Sequence, residues 1–249
     1  DAKTAYILNS LPYIGNTQHL HETNLGEKVV TDLIHPFYGT GRGVTTNSCF
    51  TSIPLAQKLL ENDITLTGII QQDSIEIPKE FLRSANRPEF SSVFCFFDDL
   101  TLLSYVPKKN FAVTFLSTEF NDTKVEEAPR KRPEVILHYN NTKGGVDAGI
   151  KMTETYSCVR TTQRWPFRIF MEILDIAVLN SYIIWIAKYP DWRKNDRHRR
   201  QSFIRELAMS LVNDNVNYRQ NTTKNFHKHI KFGFDVFKQM NNNISIVIK

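Results

Sequence analysis

One acidic residue, Asp147, combines a position and a sequence context that could serve chemistry. It follows the glycine pair Gly144 and Gly145, which lets backbone approach a ligand closely, and it stands just before a predicted helix. An acidic residue at the start of a helix is also typical of a helix cap, and the pattern taken alone favours the cap. Both interpretations stay open on these residues.

A second segment, residues 160–166, combines two arginines with a tryptophan at the predicted entrance of a helix. Arg160 and Arg164 could hold a phosphate backbone, while Trp165 could stack on a base. The alternative is that Trp165 packs beneath the helix that follows and the arginines lie in solvent. The residues support the two interpretations equally.

The positive charge of the chain is concentrated in two C-terminal stretches, residues 188–205 and 219–249, which together form the basic rear of the chain. The net charge is +5, yet residues 188–205 carry seven basic against two acidic residues, and residues 219–249 carry six against one. A basic rear is the electrostatic footprint of a nucleic-acid binder, although a solvated helical face has the same charge pattern.

Composition argues against several classes of protein. Hydrophobic residues make up 41% of the 249 residues, enough to line a core. The three cysteines form no CxxC pair, which argues against a structural zinc site or a disulfide framework. The uncharged stretch 176–187 has 12 residues, short of the ~20 that span a bilayer, so we expect no membrane partner.

The elements that must position these residues follow an α/β pattern in the front of the chain. In chain order the predictions are a strand over 5–14, a helix over 26–35, a strand over 44–46, a helix entered at Ser52 and Pro54, and a strand over 66–70. This order indicates a sheet layered with helices.

The remainder of the chain predicts a β-rich unit and then helices. Aromatic, β-prone runs at 93–97 and 111–116 indicate an inserted β-rich unit. In chain order the later predictions are a strand over 134–139, a loop over 140–145, a helix beginning near Asp147, a buried core helix over 166–188 and a surface helix over 202–212. Beyond Asn213 we expect poor order except at 232–237.

Three segments in the correct order carry a resemblance to a known family. They are residues 50–56 (FTSIPLA), 139–147 (YNNTKGGVD) and 163–166 (QRWP). Shorter similarities occur at residues 12–15, 25–27, 100–105 and 180–184. Together they resemble the piggyBac family of cut-and-paste DNA transposases and their domesticated relatives, over roughly residues 1–212.

The resemblance implies an α/β fold: an RNase H-like mixed sheet with flanking helices, interrupted by a β-rich insertion. The domains expected are a first part of the core over 1–70, the insertion over 71–133, a second part with helices over 134–212, and a basic tail over 213–249. The family's first strand lies upstream of the point that matches Asp1. We therefore expect a segment that lacks this strand and is not stable by itself.

The chemistry implied by the resemblance is DNA strand cleavage and joining by two divalent cations, Mg²⁺ or Mn²⁺, held by three aspartates. The third aspartate matches Asp147, the second matches Asn47, and the first lies upstream of Asp1. A further acid of the family is Ile150 here. We therefore predict that the metals are not bound productively and that catalysis is impaired.

The partner that the resemblance implies is DNA, contacted in the nucleus, and a homodimer is compatible with it. Besides Arg160, Arg164 and Trp165, the basic rear offers three candidate DNA contacts, which are Arg197, Arg199 and Arg200. Two alternatives stay open. One is an active enzyme that uses a substitute acid such as Asp32 or Asp63, and the other is a domesticated protein-interaction scaffold.

Overall fold

The computed structural model describes residues 1–12, 25–71, 74, 77–82, 87–222 and 227–242. The chain divides into two compact units, Asp1–Lys151 and Met152–Lys249. Most of the segment 12–15, which carries one of the shorter family similarities, lies outside the described residues, as does the end of the predicted strand over 5–14.

The first unit is built on one mixed five-stranded sheet. Its strands are β1 (Gly43–Thr46), β2 (Thr65–Ile69), β3 (Ser92–Phe97), β4 (Leu100–Lys108) and β5 (Phe111–Ser117). Their order across the sheet is β1-β2-β5-β4-β3, with β1 and β2 parallel and the other neighbours antiparallel. The strands of the predicted insertion therefore continue the sheet of β1 and β2, because β5 pairs with β2.

Helices cover both faces of this sheet. In chain order they are α1 (Leu25–Ile34), α2 (Ile53–Leu60), α3 (Lys79–Leu82), α4 (Glu134–Thr142) and α5 (Gly145–Thr155), the last crossing the boundary between the units. Leu55 and Leu59 of α2 are fully buried with Leu66 of β2 on one face. On the other face Tyr139 of α4 packs edge-on against Phe115, with ring centroids 5.4 Å apart. This α/β architecture, a mixed sheet with flanking helices, confirms the predicted fold class.

The second unit is helical. It contains α6 (Trp165–Lys188), α7 (Arg199–Thr222) and α8 (Lys228–Asn242). An aromatic cluster joins α6 to α7 through Phe203, whose ring lies 5.5 Å from Tyr182 and 6.0 Å from Trp185. Trp192, in the connection between the two helices, packs edge-on against both Trp185 and Phe203.

Several sequence predictions are confirmed by these elements. Strands occupy 44–46 and most of 66–70, and α1 fills most of the predicted helix. Ser52 caps α2 as expected, since its side chain accepts a hydrogen bond from the N–H of Leu55 at 3.3 Å.

Other predictions are wrong, and for residues 134–139 tertiary packing explains the difference. Residues 134–139 form α4 and not a strand, because Val135, Ile136 and Tyr139 bury one helical face in the core. The same helix continues to Thr142 and takes up half of the predicted loop. Residues 5–12 form no strand, and α7 and α8 place ordered helix in the tail that was expected to be poorly ordered.

Helix α6 has the predicted extent but is not a buried core helix. Only one stripe is buried, formed by Met171, Asp175, Leu179, Tyr182 and Ile183. The helix is apolar almost all round, so its other apolar side chains are exposed, for example Phe170 at 53% and Ile184 at 55%. Within the described residues it alone is long and apolar enough to cross a membrane, a test that core helices of soluble proteins also pass.

Candidate functional site

Asn47 lies directly after β1, in a turn held by its own backbone and side chain. Its Oδ1 accepts a hydrogen bond from the N–H of Cys49 at 3.1 Å, and its carbonyl accepts one from Oγ1 of Thr51 at 2.8 Å. The side chain is exposed. The amide oxygen is therefore engaged locally, and the position carries no charge.

Glycine at position 68 is what permits this turn to pack on the sheet. Thr46 and Thr51 share a buried hydroxyl–hydroxyl hydrogen bond of 2.8 Å. A Cβ at Gly68 of β2 would lie 2.3 Å from Oγ1 of Thr51 and 2.5 Å from Oγ1 of Thr46. Both distances are shorter than those found for real Cβ atoms, so the turn can occupy this position only because residue 68 has no side chain.

Asp147 is the third residue of α5 and is exposed. It lies within the first helical turn and does not precede the helix as a cap residue would. One turn further along the same face lies Ile150, which is 49% exposed. The face of α5 that carries Asp147 thus presents an apolar side chain at the position of the family's further acid.

A hydrogen bond between two threonines ties the segments of Asn47 and Asp147 to each other. Oγ1 of Thr45 in β1 lies 2.7 Å from Oγ1 of Thr142, the last residue of α4. Asn47 follows Thr45 by two residues, and α5 begins three residues after Thr142. The structure therefore brings the carboxyl end of β1 beside the segment that leads into α5.

The two substitute acids named above do not join this site. Asp63 precedes β2, and the parallel register of Gly43 with Thr65 puts it at the opposite end of these two strands from Asn47, roughly 10 Å away or more along the strands. Asp32 is exposed on α1. The first turn of α1 approaches Cys49 through Gly26, so Asp32 lies a further ~9 Å along the helix axis.

The family's metal pair does not fit the donors that are present. Two divalent cations need several carboxylates, whereas these segments offer the carboxylate of Asp147 and the amide of Asn47. Across the part of the chain that the structure describes, no group of three or more His, Cys, Asp or Glu side chains is arranged to hold a metal ion. We derive no metal-dependent step for this chain.

A buried carboxylate in the second unit organises the segment with the candidate DNA contacts. Asp175 of α6 is only 8% exposed. It accepts hydrogen bonds from Oγ of Ser157 at 2.5 Å and from the backbone N–H of Cys158 at 2.9 Å. The thiol of Cys158 also points at the carbonyl of Met171, with a sulfur–oxygen distance of 3.5 Å. The start of the segment 157–164 is therefore fixed to α6.

The side chains that this segment presents are accessible. Arg160 and Arg164 are exposed, and Trp165, the first residue of α6, is 62% exposed. The interpretation in which Trp165 packs beneath its helix is therefore wrong. Oγ1 of Thr162 accepts a hydrogen bond from the N–H of Arg164 at 3.1 Å, which shapes the turn into α6.

Of the three arginines of the basic rear that are candidate DNA contacts, two have intramolecular roles. Nη2 of Arg199 donates to the carbonyl of Pro190 at 2.7 Å, and its guanidinium lies 6.0 Å from the ring centre of Trp192. The guanidinium of Arg200 stacks on Tyr156 at 4.7 Å, and burial lowers its pKa. Both are half-buried, whereas Arg197 is exposed.

Acidic neighbours offset other charges of the basic rear. Arg193 forms ion pairs with Glu206 at 2.7 Å and Asp196 at 3.7 Å. Lys194 lies 3.8 Å from Asp191. The charge pattern in the sequence therefore overstates the positive surface that is available to a phosphate backbone.

Sequence reasoning missed Gly68 and Asp175, the residues that position the two segments. A glycine inside a strand does signal close approach of another part of the chain. An acidic residue among the apolar residues of a long helix does signal a buried polar contact. Neither signal identifies the residues that are contacted, because in both cases these lie well away in sequence.

Comparison with known proteins agrees with this architecture. A family model described as "Transposase IS4" matches residues 1–182. A solved structure, the cryo-EM structure of a piggyBac transposase synaptic complex with hairpin DNA, is similar over the whole of this chain with 32% identity and a TM-score of 0.81. This chain spans 50% of that one. The sheet with its flanking helices is consistent with an RNase H-like fold, and the chain belongs to the transposases of the piggyBac type.

Proposed function

We propose that this chain is a transposase-derived core that contacts DNA in the nucleus and whose strand-transfer chemistry is impaired. The observation that carries the DNA contact is the segment 157–165. Its start is fixed to α6 by the buried Asp175, and it presents Arg160, Arg164 and Trp165 to solvent. A fixed backbone that presents two guanidinium groups and an exposed indole suits a phosphate backbone and a base.

The proposed impairment rests on the chemistry at Asn47. A carboxylate would add a unit negative charge where two cations repel each other, whereas the amide adds none. The amide oxygen also accepts the N–H of Cys49. Binding and catalysis are therefore separable in this chain, because the DNA-contacting segment lies on different elements from Asn47.

The proposed contact is tested by the salt dependence of DNA affinity. Fluorescence anisotropy with a labelled duplex gives the slope of log affinity against log salt concentration. That slope changes by about 0.9 for each phosphate contact. Replacing Arg160 and Arg164 together by alanine is expected to make the slope shallower by about 2.

A matched control removes the same charge elsewhere. Lys58 and Lys124 are each paired with an acid, at 3.1 Å with Glu27 and 2.7 Å with Asp122. The double variant Lys58→Ala, Lys124→Ala should leave the slope within about 0.5 of the parent, since paired lysines release few counterions. Equal slopes for the parent and both double variants would contradict the proposed contact.

A further inference from the structure

The strand β3 ends the sheet with an unusually apolar edge. Its six residues (SVFCFF) contain no charged residue, proline or glycine, which are the usual means of blunting an edge strand. In the described residues β3 pairs only with β4. Apolar side chains are exposed on both faces, with Val93 at 38%, Phe96 at 46% and Phe97 at 64%.

The backbone of β3 also offers hydrogen-bonding groups on its outer side. Alternate residues of an antiparallel strand direct their N–H and C=O groups to opposite sides. Phe97 pairs with Leu100 across the two-residue turn of Asp98 and Asp99. Such a turn closes on a hydrogen-bonded pair, so the outward-facing groups belong to Ser92, Phe94 and Phe96.

We propose that β3 pairs antiparallel with β3 of a second copy of this chain, in a register centred on Cys95. In this register Phe94 lies opposite Phe96 of the second copy, and Val93 lies opposite Phe97. Each pair keeps its side chains on one face of a joined sheet, because paired residues share a face. The two strands carry no charge that would repel an identical partner.

The ends of the strand select this register. Asp98 and Asp99 are exposed carboxylates, and the register brings them beside Ser92 and Ser91 of the second copy. The hydroxyls of Ser91 and Ser92 are buried and lack a hydrogen-bond partner within the described part of the chain. Rotation about χ1 would turn these donors towards the carboxylates. A register shifted by two residues in either direction instead opposes a carboxylate to Phe94, or a serine to Phe97.

The proposed pairing is independent of DNA binding and of the site at Asn47. Six residues on each side form a small interface, so association depends on protein concentration. It extends the five-stranded sheet to a ten-stranded one across a twofold axis. The occupant is a second copy because the strand complements itself in both apolar pairing and polar ends.

The test is oxidative cross-linking of the whole chain through single cysteines. Cys49, Cys95 and Cys158 are free. In the variant Cys49→Ser, Cys158→Ser, the two Cys95 residues face each other in a non-hydrogen-bonded pair, with a Cα separation of about 4.5 Å that a disulfide can bridge. A disulfide-linked dimer is expected on mild oxidation. The matched variant Cys95→Ser, Cys158→Ser, which retains Cys49, should form no disulfide-linked dimer under the same oxidation.

Sedimentation velocity supplies the second readout. Phe97→Lys places a charge on the edge, and the dimer dissociation constant should rise at least about tenfold. Phe111→Lys is the control, because Phe111 on β5 of the same sheet is 45% exposed and lies outside the proposed interface. A chain that stays monomeric, a dimer insensitive to Phe97→Lys, or cross-linking through Cys49 would each overturn the proposal.

Discussion

Replacing Asp175 by alanine should destabilise the second unit far more than removing an exposed acid from the same helix. The carboxylate is the acceptor for two donors, Oγ of Ser157 and the N–H of Cys158. Both hydrogen bonds are partly buried and their acceptor is a carboxylate, so losing the two together in Asp175→Ala should lower the free energy of unfolding by about 2–4 kcal/mol. Asp175→Asn keeps one acceptor and should cost about 1 kcal/mol.

The matched control on this helix is Glu172→Ala. Glu172 pairs with Arg168 at 3.1 Å, and both side chains are about half exposed or more. Such surface pairs contribute about 0.3–0.5 kcal/mol to stability. Urea denaturation followed by circular dichroism gives the three free energies of unfolding. Hydrogen exchange at the Cys158 amide reports whether the contact itself is lost.

The expected order of destabilisation is Asp175→Ala, then Asp175→Asn, then Glu172→Ala. Exchange at the Cys158 amide should accelerate in Asp175→Ala and stay unchanged in Glu172→Ala. If Asp175→Ala costs no more than Glu172→Ala and the amide keeps its protection, the carboxylate does not hold the segment 157–164. The physical basis of the proposed DNA-contacting surface would then be lost.

Two further predictions follow from the site geometry. Gly68→Ala should destabilise the first unit by about 2 kcal/mol or more, because its Cβ would overlap Thr46 and Thr51. The control Gly144→Ala, with nothing within 4 Å of its Cβ, should change stability by at most about 1 kcal/mol. Urea denaturation of both variants measures the two effects, and equal effects would contradict the prediction. Partial desolvation, and secondarily the hydrogen bond with Asp175, raises the pKa of the Cys158 thiol, so half-maximal alkylation should need a higher pH than for a free cysteine. The raised pKa means that the folded state favours the protonated thiol of Cys158. The contribution of this group to folding stability is therefore fully present below the unfolded-state pKa and is lost as the pH rises through the folded-state pKa. An alkylation midpoint at or below the ordinary thiol value would contradict the raised pKa.

Local signals in the sequence predicted some elements of this fold because they act within a few residues. Ser52 with Pro54 predicted the start of α2, and the β-prone run at residues 44–46 predicted β1. The prediction for residues 134–139 failed because a short apolar run, here Val135 to Leu137, is compatible with both a strand and a helix. Packing of Tyr139 on Phe115 decides between them, and that contact is long-range.

For the candidate sites, too, the sequence located individual residues but not the contacts between them. The family's motif located Asn47 and Asp147, but only the structure shows that the Thr45–Thr142 hydrogen bond draws their segments together. The charge count indicated a basic rear, but a count does not distinguish Arg197, which is exposed, from Arg200, which lies on Tyr156. Joining the β-rich segment to the main sheet depends on the pairing of β5 with β2, which no local pattern encodes.

The central claim is that this transposase core contacts DNA without cutting it. The most direct test incubates the purified chain with a labelled, family-type transposon end in Mg²⁺ or Mn²⁺, under salt conditions in which anisotropy shows the DNA to be bound. Denaturing electrophoresis then reports strand cleavage. We expect bound, intact DNA for the chain, because Asn47 leaves the metal pair without its second carboxylate. A metal-dependent cleavage product, absent when EDTA is added, would contradict the account.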